Sequence, residues 1–238
     1  MKKINVAELE KRRKAHMKQM LPDHPMLLVG MGTCGIGNGA DVLYKIIQQH
    51  IADKSLNCGL KATGCFGFCA EEPLVTVYQP GKPMLIYSRV IEKEVVNILE
   101  GAVSGKSYSK KVLCRIEAWD HLTSNIEYGK GYEKYPQWNE IPFFKGQKKL
   151  VLRNAGLINP ESIEDYIAVG GYSALVKVLT QMQPKEVVDE VIASKMRGRG
   201  GAGFPTGIKW SMMQQNHAPK KYIICNADEG DPGAFMDR

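Results

Sequence analysis

The sequence lacks the long apolar segments that membrane proteins carry. No apolar run approaches the roughly 20 residues that are needed to span a bilayer. The first residues are basic and are followed by more basic residues, so they do not resemble the apolar region of a secretory signal peptide. With 238 residues, the chain can bury a core without disulfide bonds. We therefore expect a soluble, cytoplasmic protein of one or two domains, with no direct membrane span.

Histidine motifs and phosphate-binding signatures are also missing. The five histidines show neither metal-ligand spacing nor a triad pattern, so we assign them no catalytic role. No G-x-x-x-x-G-K-[ST] motif occurs, which argues against a P-loop. The sequence shows no internal repeat and no long low-complexity tract. The features that do carry functional information are a basic segment, a glycine-rich segment, an acidic loop and the cysteines.

The positive charge of the chain is concentrated at one end. Residues 1–20 hold seven basic and two acidic side chains, a net charge of +5 out of the +7 of the whole chain. We interpret residues 1–24 as a basic helical arm that is solvated or docks a subunit. Binding of nucleic acid or of a membrane surface through this arm is the alternative, and nucleic-acid binding would fall steeply with salt.

The pattern of apolar residues predicts an α/β protein. Residues 25–105 contain, in order, strands, amphipathic helices and a cysteine-containing turn at 58–69, in an arrangement that resembles a thioredoxin-like fold. Residues 106–145 show weak periodicity and are predicted to be a linker that contains a strand at 111–116. Residues 146–238 are predicted to be the N-terminal part of a second α/β domain, which begins with a strand-like segment at 148–156.

A glycine-rich segment at 198–203 is the first candidate site. It satisfies G-x-G-x-x-G, but a helix precedes it and Pro205 prevents a helix from starting within it, so the Rossmann fingerprint does not apply. An extended glycine loop brings backbone N–H groups close to an anion, and basic residues at 197, 199 and 209 add charge. We interpret the segment as a site for a phosphate-bearing cofactor. A flexible surface loop is the alternative.

An acidic loop at 227–235 is the second candidate site. It follows a strand predicted at 221–226, and the carboxyl ends of strands are where α/β folds place ligands. Asp228, Glu229 and Asp231 crowd three carboxylates into four positions, which suits ribose hydroxyl groups or a magnesium or calcium ion. A solvated turn built on Asp-Pro-Gly is the alternative.

Two segments, SKMRGRGGAGFPTGIKW (194–210) and CNADEGDPGAFMDR (225–238), resemble the NADH-binding flavoprotein subunit of complex I-type dehydrogenases. The same subunit occurs in NAD-linked multisubunit hydrogenases and formate dehydrogenases, and residues 150–175 resemble the segment leading into its flavin domain. The resemblance implies an oxidoreductase subunit that transfers hydride between NADH and FMN. It also implies partner subunits that carry iron–sulfur or other redox centres, and no nucleic acid.

The resemblance further implies a cleft shared by FMN and NADH. The nucleotide loop would consist of Gly198, Arg199, Gly200, Gly201, Ala202 and Gly203. Phe204 would stack on the NADH adenine, and Lys209 would contact FMN or the pyrophosphate. Asn226 and Asp228 would hold FMN. Glu229, the predicted catalytic residue, and Asp231 would lie near the nicotinamide and its ribose.

The sequence departs from this family in two ways. Met212 stands where some members have a second aromatic residue. The domain of the family continues past the acidic loop to a Cys-x-x-Cys-x-x-Cys run for a 4Fe–4S cluster, and no such run occurs here. An alternative function is therefore a non-catalytic iron–sulfur or docking module, whose flavin site is incomplete without another polypeptide.

Three of the six cysteines suggest a metal centre. The motif TGCFGFC resembles the second cysteine pair of a thioredoxin-like 2Fe–2S ferredoxin domain, with Cys65 and Cys69 as the intact pair and Cys34 as the remnant of the first. A 2Fe–2S cluster needs four ligands, and Cys58 is a candidate for the fourth. A domain that has lost its cluster, a zinc site and a redox dithiol are the alternatives.

Overall fold

The computed structural model of the chain describes residues 5–121, 125–199, 201–222 and 224. It divides into two compact units, residues 1–174 (unit 1) and residues 175–238 (unit 2). The domain boundaries expected from the sequence stay a prediction. None of the helices within the described ranges is long and apolar enough to cross a membrane.

Unit 1 is built on a five-stranded mixed sheet. Its strands are β1 (Met26–Gly30), β2 (Gly59–Thr63), β3 (Val75–Tyr78), β4 (Met84–Tyr87) and β5 (Val112–Ile116), in the order β2-β1-β3-β4-β5. β1 and β2 are parallel, whereas β3, β4 and β5 each pair antiparallel with the preceding strand in that order. This topology confirms the predicted α/β, thioredoxin-like arrangement.

Strand β2 lies within the segment that the sequence predicted to be a turn. Its residues, GLKAT, carry few apolar side chains, and four of the five are only half-buried because β2 is an edge strand. Pairing with the fully buried β1 supplies its backbone hydrogen bonds. The prediction of a simple turn was therefore wrong.

One face of the sheet packs against helices. Alternate residues of the central strands point to this face and form a core with α3 (Ala40–Asp53) and α4 (Glu92–Val103). The largest fully buried side chains of this core are Leu27, Leu43, Ile47, Leu85, Tyr87, Ile98 and Leu99. A five-residue helix, α2 (Thr33–Gly37), connects β1 to α3.

The other face is covered by aromatic residues from the segment predicted to be a linker. The predicted strand at 111–116 is β5, and a hairpin of β6 (Ala118–Asp120) and β7 (Asn125–Glu127) follows it. Trp119, Tyr128 and Phe144 are buried in this second core. Buried aromatic side chains therefore hold this segment against the sheet, although its apolar residues show no regular spacing in the sequence.

Residues 148–156 form turns, so the strand predicted there is wrong. Val151 is 94% exposed, and no neighbouring strand pairs with this segment among the described residues. The turns are anchored instead by side chains: the indole N–H of Trp119 donates to the carbonyl of Arg153 at 2.7 Å. Residues with high strand propensity do not form a strand where no neighbouring strand pairs with them.

The basic arm is a helix that docks within unit 1. Helix α1 (Val6–Met20) begins at its cap Asn5, whose side chain accepts from the Glu8 N–H at 2.9 Å. It packs against α5 (Ile163–Ala168), where Arg13 donates to the carbonyl of Ile167 at 3.2 Å. Part of the positive charge of α1 therefore contacts other residues of unit 1.

A buried carboxylate lies at the contact between α1 and α5. Asp165 is 2% exposed and accepts from His16 Nε2 at 2.7 Å, from the Asn159 N–H at 2.8 Å and from Lys61 of β2. Burial alone raises the pKa of Asp165, but the Lys61 ammonium and the other donors outweigh it, so the pKa is lowered. Asp165 thus ties α1, β2 and α5 together.

Unit 2 is helical where it is described. Helices α6 (Ser173–Gln181), α7 (Pro184–Ala193) and α8 (Thr206–Gln215) follow one another. α7 begins with Pro184 after a capping box between Gln183 and Glu186, as the sequence predicts. At the α7–α8 contact, a Cβ on Gly207 would lie 2.6 Å from the backbone nitrogen of Ile192, so only glycine permits this approach.

Candidate functional site

The glycine-rich loop joins α7 to α8 and is closed at its base. The Gly198 N–H donates to the Phe204 carbonyl at 2.9 Å, and the Thr206 N–H donates to the Met196 carbonyl at 3.0 Å. These two hydrogen bonds hold the chain as in a short hairpin. These two hydrogen bonds therefore fix the ends of the loop.

The two arginines of the loop have different roles. Arg197 turns inward, and its Nε donates to the Gly203 carbonyl. Arg199 is exposed and forms no hydrogen bond or ion pair with residues that the structure describes. Gly201 and Gly203 have φ values of +97° and +62°, in the region that favours glycine. Arg197 thus closes the loop, whereas Arg199 is exposed within it.

The other predicted binding residues of this segment lie close to the loop. Ala202 is exposed, and the ring of Phe204 is 48% exposed, so it offers a face for stacking. Lys209 is exposed in the first turn of α8, whose positive end follows the loop directly. An open groove of about 360 Å³ lies alongside, lined by residues that include Ile192, Met196, Pro205 and Ile208.

Several predicted site residues lie outside the described residues. These are Gly200, Asn226, Asp228, Glu229 and Asp231, together with most of the strand predicted at 221–226. The described part of the site therefore consists of the loop, Phe204 and Lys209. The roles of all these residues stay predictions.

The second candidate site lies in unit 1, at one edge of the sheet. Cys34 follows β1 in α2, whereas Cys65 and Cys69 follow β2. Because β1 and β2 are parallel, their carboxyl ends meet at the same edge. The structure thus brings together the three cysteines that the sequence singled out.

A buried glutamate, which the sequence analysis missed, joins these cysteines. Glu72 is 5% exposed, and its Oε1 accepts from the Cys65 thiol at 3.3 Å. Its Oε2 accepts from the Leu74 N–H at 2.7 Å. Burial raises the pKa of Glu72, and burial also raises the pKa of Cys65 to about 12. The only available signal was its position, an acidic residue directly before an apolar strand.

Cys34 and Cys69 form a second close pair. The neighbouring Cys69 thiol raises the pKa of Cys34, and burial and the charge of Glu72 add to the effect. Cys69 is exposed, whereas Cys34 and Cys65 are half-buried. The four side chains thus form two neighbouring pairs, Cys34 with Cys69 and Cys65 with Glu72.

Glycines allow the backbone to approach these pairs closely. A Cβ on Gly32 would lie 2.9 Å from the Cβ of Cys65, and a Cβ on Gly35 would lie 3.3 Å from Glu72 Oε2 and 2.3 Å from the Gly30 carbonyl. The Gly67 N–H points to Cys65 Sγ at 3.1 Å. The backbone therefore packs closely against Cys65 and Glu72.

Cys58, the candidate fourth ligand, lies at the other end of β2. It directly precedes Gly59, which pairs with Met26 at the start of β1. The strand from Gly59 to Thr63 spans about 13 Å, so Cys58 is remote from the other cysteines. Burial raises its pKa to about 11. Cys58 cannot join them without unfolding the sheet.

The donors present are consistent with a 2Fe–2S cluster only if Glu72 is counted. A 2Fe–2S cluster takes two protein ligands on each iron. Among the described residues, no group of three or more His, Cys, Asp or Glu side chains is placed to hold a single metal ion. Three thiols and one carboxyl group supply the number and the pairwise arrangement that a binuclear cluster needs.

Comparisons with known proteins relate the glycine-rich loop to a flavoprotein family. Residues 191–238 match the family model described as the Nuo51 FMN-binding domain. The chain is 63% identical over 94 residues to the "NADP-reducing hydrogenase subunit HndC" of Solidesulfovibrio fructosivorans, covering 40% of this chain and 19% of the relative. It is 52% identical over 89 residues to an NADH-quinone oxidoreductase subunit of Aquifex aeolicus, covering 37% and 20%. The resemblance that the two motifs predicted is thus confirmed.

The chain spans about a fifth of the length of these curated relatives. Among solved structures, it is similar to a thioredoxin-like [2Fe-2S] ferredoxin from Aquifex aeolicus, with a TM-score of 0.35, 18% identity, and coverage of 40% of this chain and 94% of that one. It is also similar to an NAD+-reducing [NiFe]-hydrogenase, with a TM-score of 0.35, 17% identity, and coverage of 98% of this chain and 38% of that one.

Proposed function

We propose that this chain is part of an electron-transfer subunit of an NAD(H)-dependent oxidoreductase. The subunit would transfer hydride between NADH and FMN and pass electrons to iron–sulfur clusters. The observation that carries the proposal is the match of residues 191–238 to an FMN-binding domain, in a segment whose described part is a closed glycine-rich loop.

The protein residues would bind and orient the two nucleotides. Backbone N–H groups of the loop, with Arg199 and Lys209, would hold phosphate groups, because fixed dipoles and cations stabilise anions at a helix N-terminus. Phe204 would stack on the adenine through its exposed ring. Glu229, with Asp231, would orient the nicotinamide, and Asn226 with Asp228 would hold FMN. Bound FMN would supply the step from two-electron to one-electron chemistry.

The first test is an anaerobic visible spectrum of the full chain, with flavin and iron analysed on the same sample. Flavin bands that bleach on addition of NADH would support the proposal. The absence of flavin in the chain alone, and also in its complex with partner subunits, would refute it. In the assembled enzyme, Glu229→Gln is expected to lower the rate of NADH oxidation while it has a smaller effect on the stability of the fold. An unchanged rate would refute the role proposed for Glu229.

A docking module is the second candidate function. It is favoured by exposed apolar side chains in unit 2, where Leu179 is 74% exposed and Met212 is 59% exposed. Such side chains are typical of surfaces that another polypeptide covers. A chain that folds only with its partners and binds no flavin would favour this function over the first.

The partners we propose are redox subunits of a multisubunit complex, and the location we propose is the cytoplasm. The relatives are named as subunits of hydrogenases and quinone oxidoreductases. The five cysteines that the structure describes are free thiols, as is usual in a reducing compartment. Co-purification of the tagged chain with iron-containing subunits, and its recovery in the cytoplasmic fraction, would test both points.

A further inference from the structure

We propose that the carboxylate of Glu72 is the fourth protein ligand of a 2Fe–2S cluster in unit 1, alongside Cys34, Cys65 and Cys69. This inference rests on the iron–sulfur part of the proposed function. It is independent of the flavin site, because all four donors belong to unit 1.

The surroundings of Glu72 call for a positive charge. Its carboxyl group is buried, and no Lys, Arg or His of the described residues lies within ion-pair distance of it. Without a cation, burial favours the protonated form of such a group, whereas a metal ion bound to it would favour the carboxylate. Iron at this position would supply the missing charge.

The number and pairing of donors agree with this assignment. Each iron of a 2Fe–2S cluster takes two protein ligands. Cys65 and Glu72 form one such pair, with 3.3 Å between Sγ and Oε1, and Cys34 and Cys69 lie at the same edge of the sheet to supply the other two ligands. When iron binds, the thiols and the carboxyl group would release their protons to solvent.

The backbone around the pairs also suits a sulfur-ligated cluster. The Gly67 N–H already points at Cys65 Sγ, and hydrogen bonds to sulfur are a known influence on cluster potential. Gly32 and Gly35 approach Cys65 and Glu72 so closely that no larger side chain fits. Close backbone approach at these two glycines is thus part of the proposed site.

A purely structural role for Glu72 is the competing explanation. The carboxylate accepts from the Leu74 N–H and so satisfies the backbone at the start of β3. Glutamine has nearly the same shape and keeps a carbonyl acceptor for this N–H, but its neutral amide is a poor ligand for iron. Glu72→Gln therefore separates the two roles.

The experiment reconstitutes the full chain anaerobically with iron and sulfide. The wild type, Glu72→Gln, Glu72→Cys and the control Glu71→Gln are compared for iron, sulfide and EPR after reduction. The control removes the charge of the neighbouring glutamate, which pairs with Arg89 at 2.9 Å instead. Circular dichroism shows whether each variant is folded.

The wild type and Glu71→Gln are expected to hold a full cluster, and Glu72→Gln at least about tenfold less iron. Glu72→Cys should retain the cluster with shifted EPR g values and a shifted reduction potential, because a thiolate replaces the carboxylate. Full iron and unchanged g values in folded Glu72→Gln would overturn the inference, and so would a wild type that takes up no cluster. Flavin content, measured on the same samples, tests the proposed flavin function separately.

Discussion

Replacing Asp165 by asparagine tests how the basic arm is held to unit 1. The side chain of Asp165 is 3% exposed, and its partners Lys61 and His16 are 15% and 19% exposed. The substitution keeps the size of the side chain and one acceptor oxygen but removes the charge. It leaves the Lys61 ammonium largely buried without its counter-ion.

The expected cost is large for a single substitution. Removing one partner of a buried ion pair costs about 3–5 kcal/mol, and the retained oxygen of asparagine places the value near the lower limit, about 3 kcal/mol. Glu164→Gln is the matched control, because it removes the same charge from the same helix. Glu164 pairs with Arg12 at 3.2 Å, with both side chains about 40% exposed, so we expect a cost below about 1 kcal/mol.

The assay is urea unfolding of the full chain, followed by tryptophan fluorescence. In a Trp210→Phe background, the remaining tryptophans are Trp119 and Trp138. Both belong to unit 1, so the fluorescence signal follows the unfolding of unit 1 only. The free energy of unfolding is compared between Asp165→Asn and Glu164→Gln at neutral pH. A cost for Asp165→Asn that does not exceed that of the control would refute the reasoning from burial.

The pH dependence of the free energy of unfolding follows from the lowered pKa of Asp165. Because its pKa is lower in the folded state than the unfolded value of 3.8, the ionised group stabilises the fold in full above that value. This stabilisation is lost as the pH falls through the folded-state pKa. The free energy of unfolding should therefore differ between wild type and Asp165→Asn at neutral pH, and this difference should disappear in strong acid.

Three further predictions concern unit 2 and the cysteine site. Gly207→Val should destabilise unit 2 by about 1–3 kcal/mol, because its side chain would overlap Ile192, and far-UV circular dichroism during thermal unfolding would measure the loss. Phe204→Ala should weaken NADH binding about 5- to 150-fold through lost stacking while it leaves stability within about 0.5 kcal/mol, and unchanged affinity in a titration would contradict the stacking role. Cys58→Ser should leave the iron content of the reconstituted chain unchanged, since Cys58 lies at the far end of β2, and iron analysis would reveal any loss.

Features with a strong local signal were predictable from the sequence. Helices α1 and α7 are marked by helix-forming residues, and α7 also by a proline at its first position. Pro205 predicts that no helix starts within the glycine-rich loop, and α8 begins at the residue after this proline. In these segments, local propensity and tertiary structure agree.

Features that depend on distant partners were not predictable in this way. Strand β2 forms because β1 offers it an edge, whereas the more strand-like residues 148–156 have no such edge and remain turns. The weakly periodic segment after α4 is held by aromatic side chains that pack across the sheet. Glu72 is an ordinary acidic residue in the sequence, and only the fold shows that it is buried beside Cys65.

The docking of α1 onto α5 also affects how the chain responds to proteases. Five of the lysines and arginines lie within α1, which makes this helix a dense set of trypsin sites. Proteases cleave extended backbone, so cutting there requires the helix to open first. The rate at which trypsin removes the arm therefore measures how often α1 leaves α5. Asp165→Asn should accelerate that cleavage, even under conditions in which the rest of unit 1 stays folded.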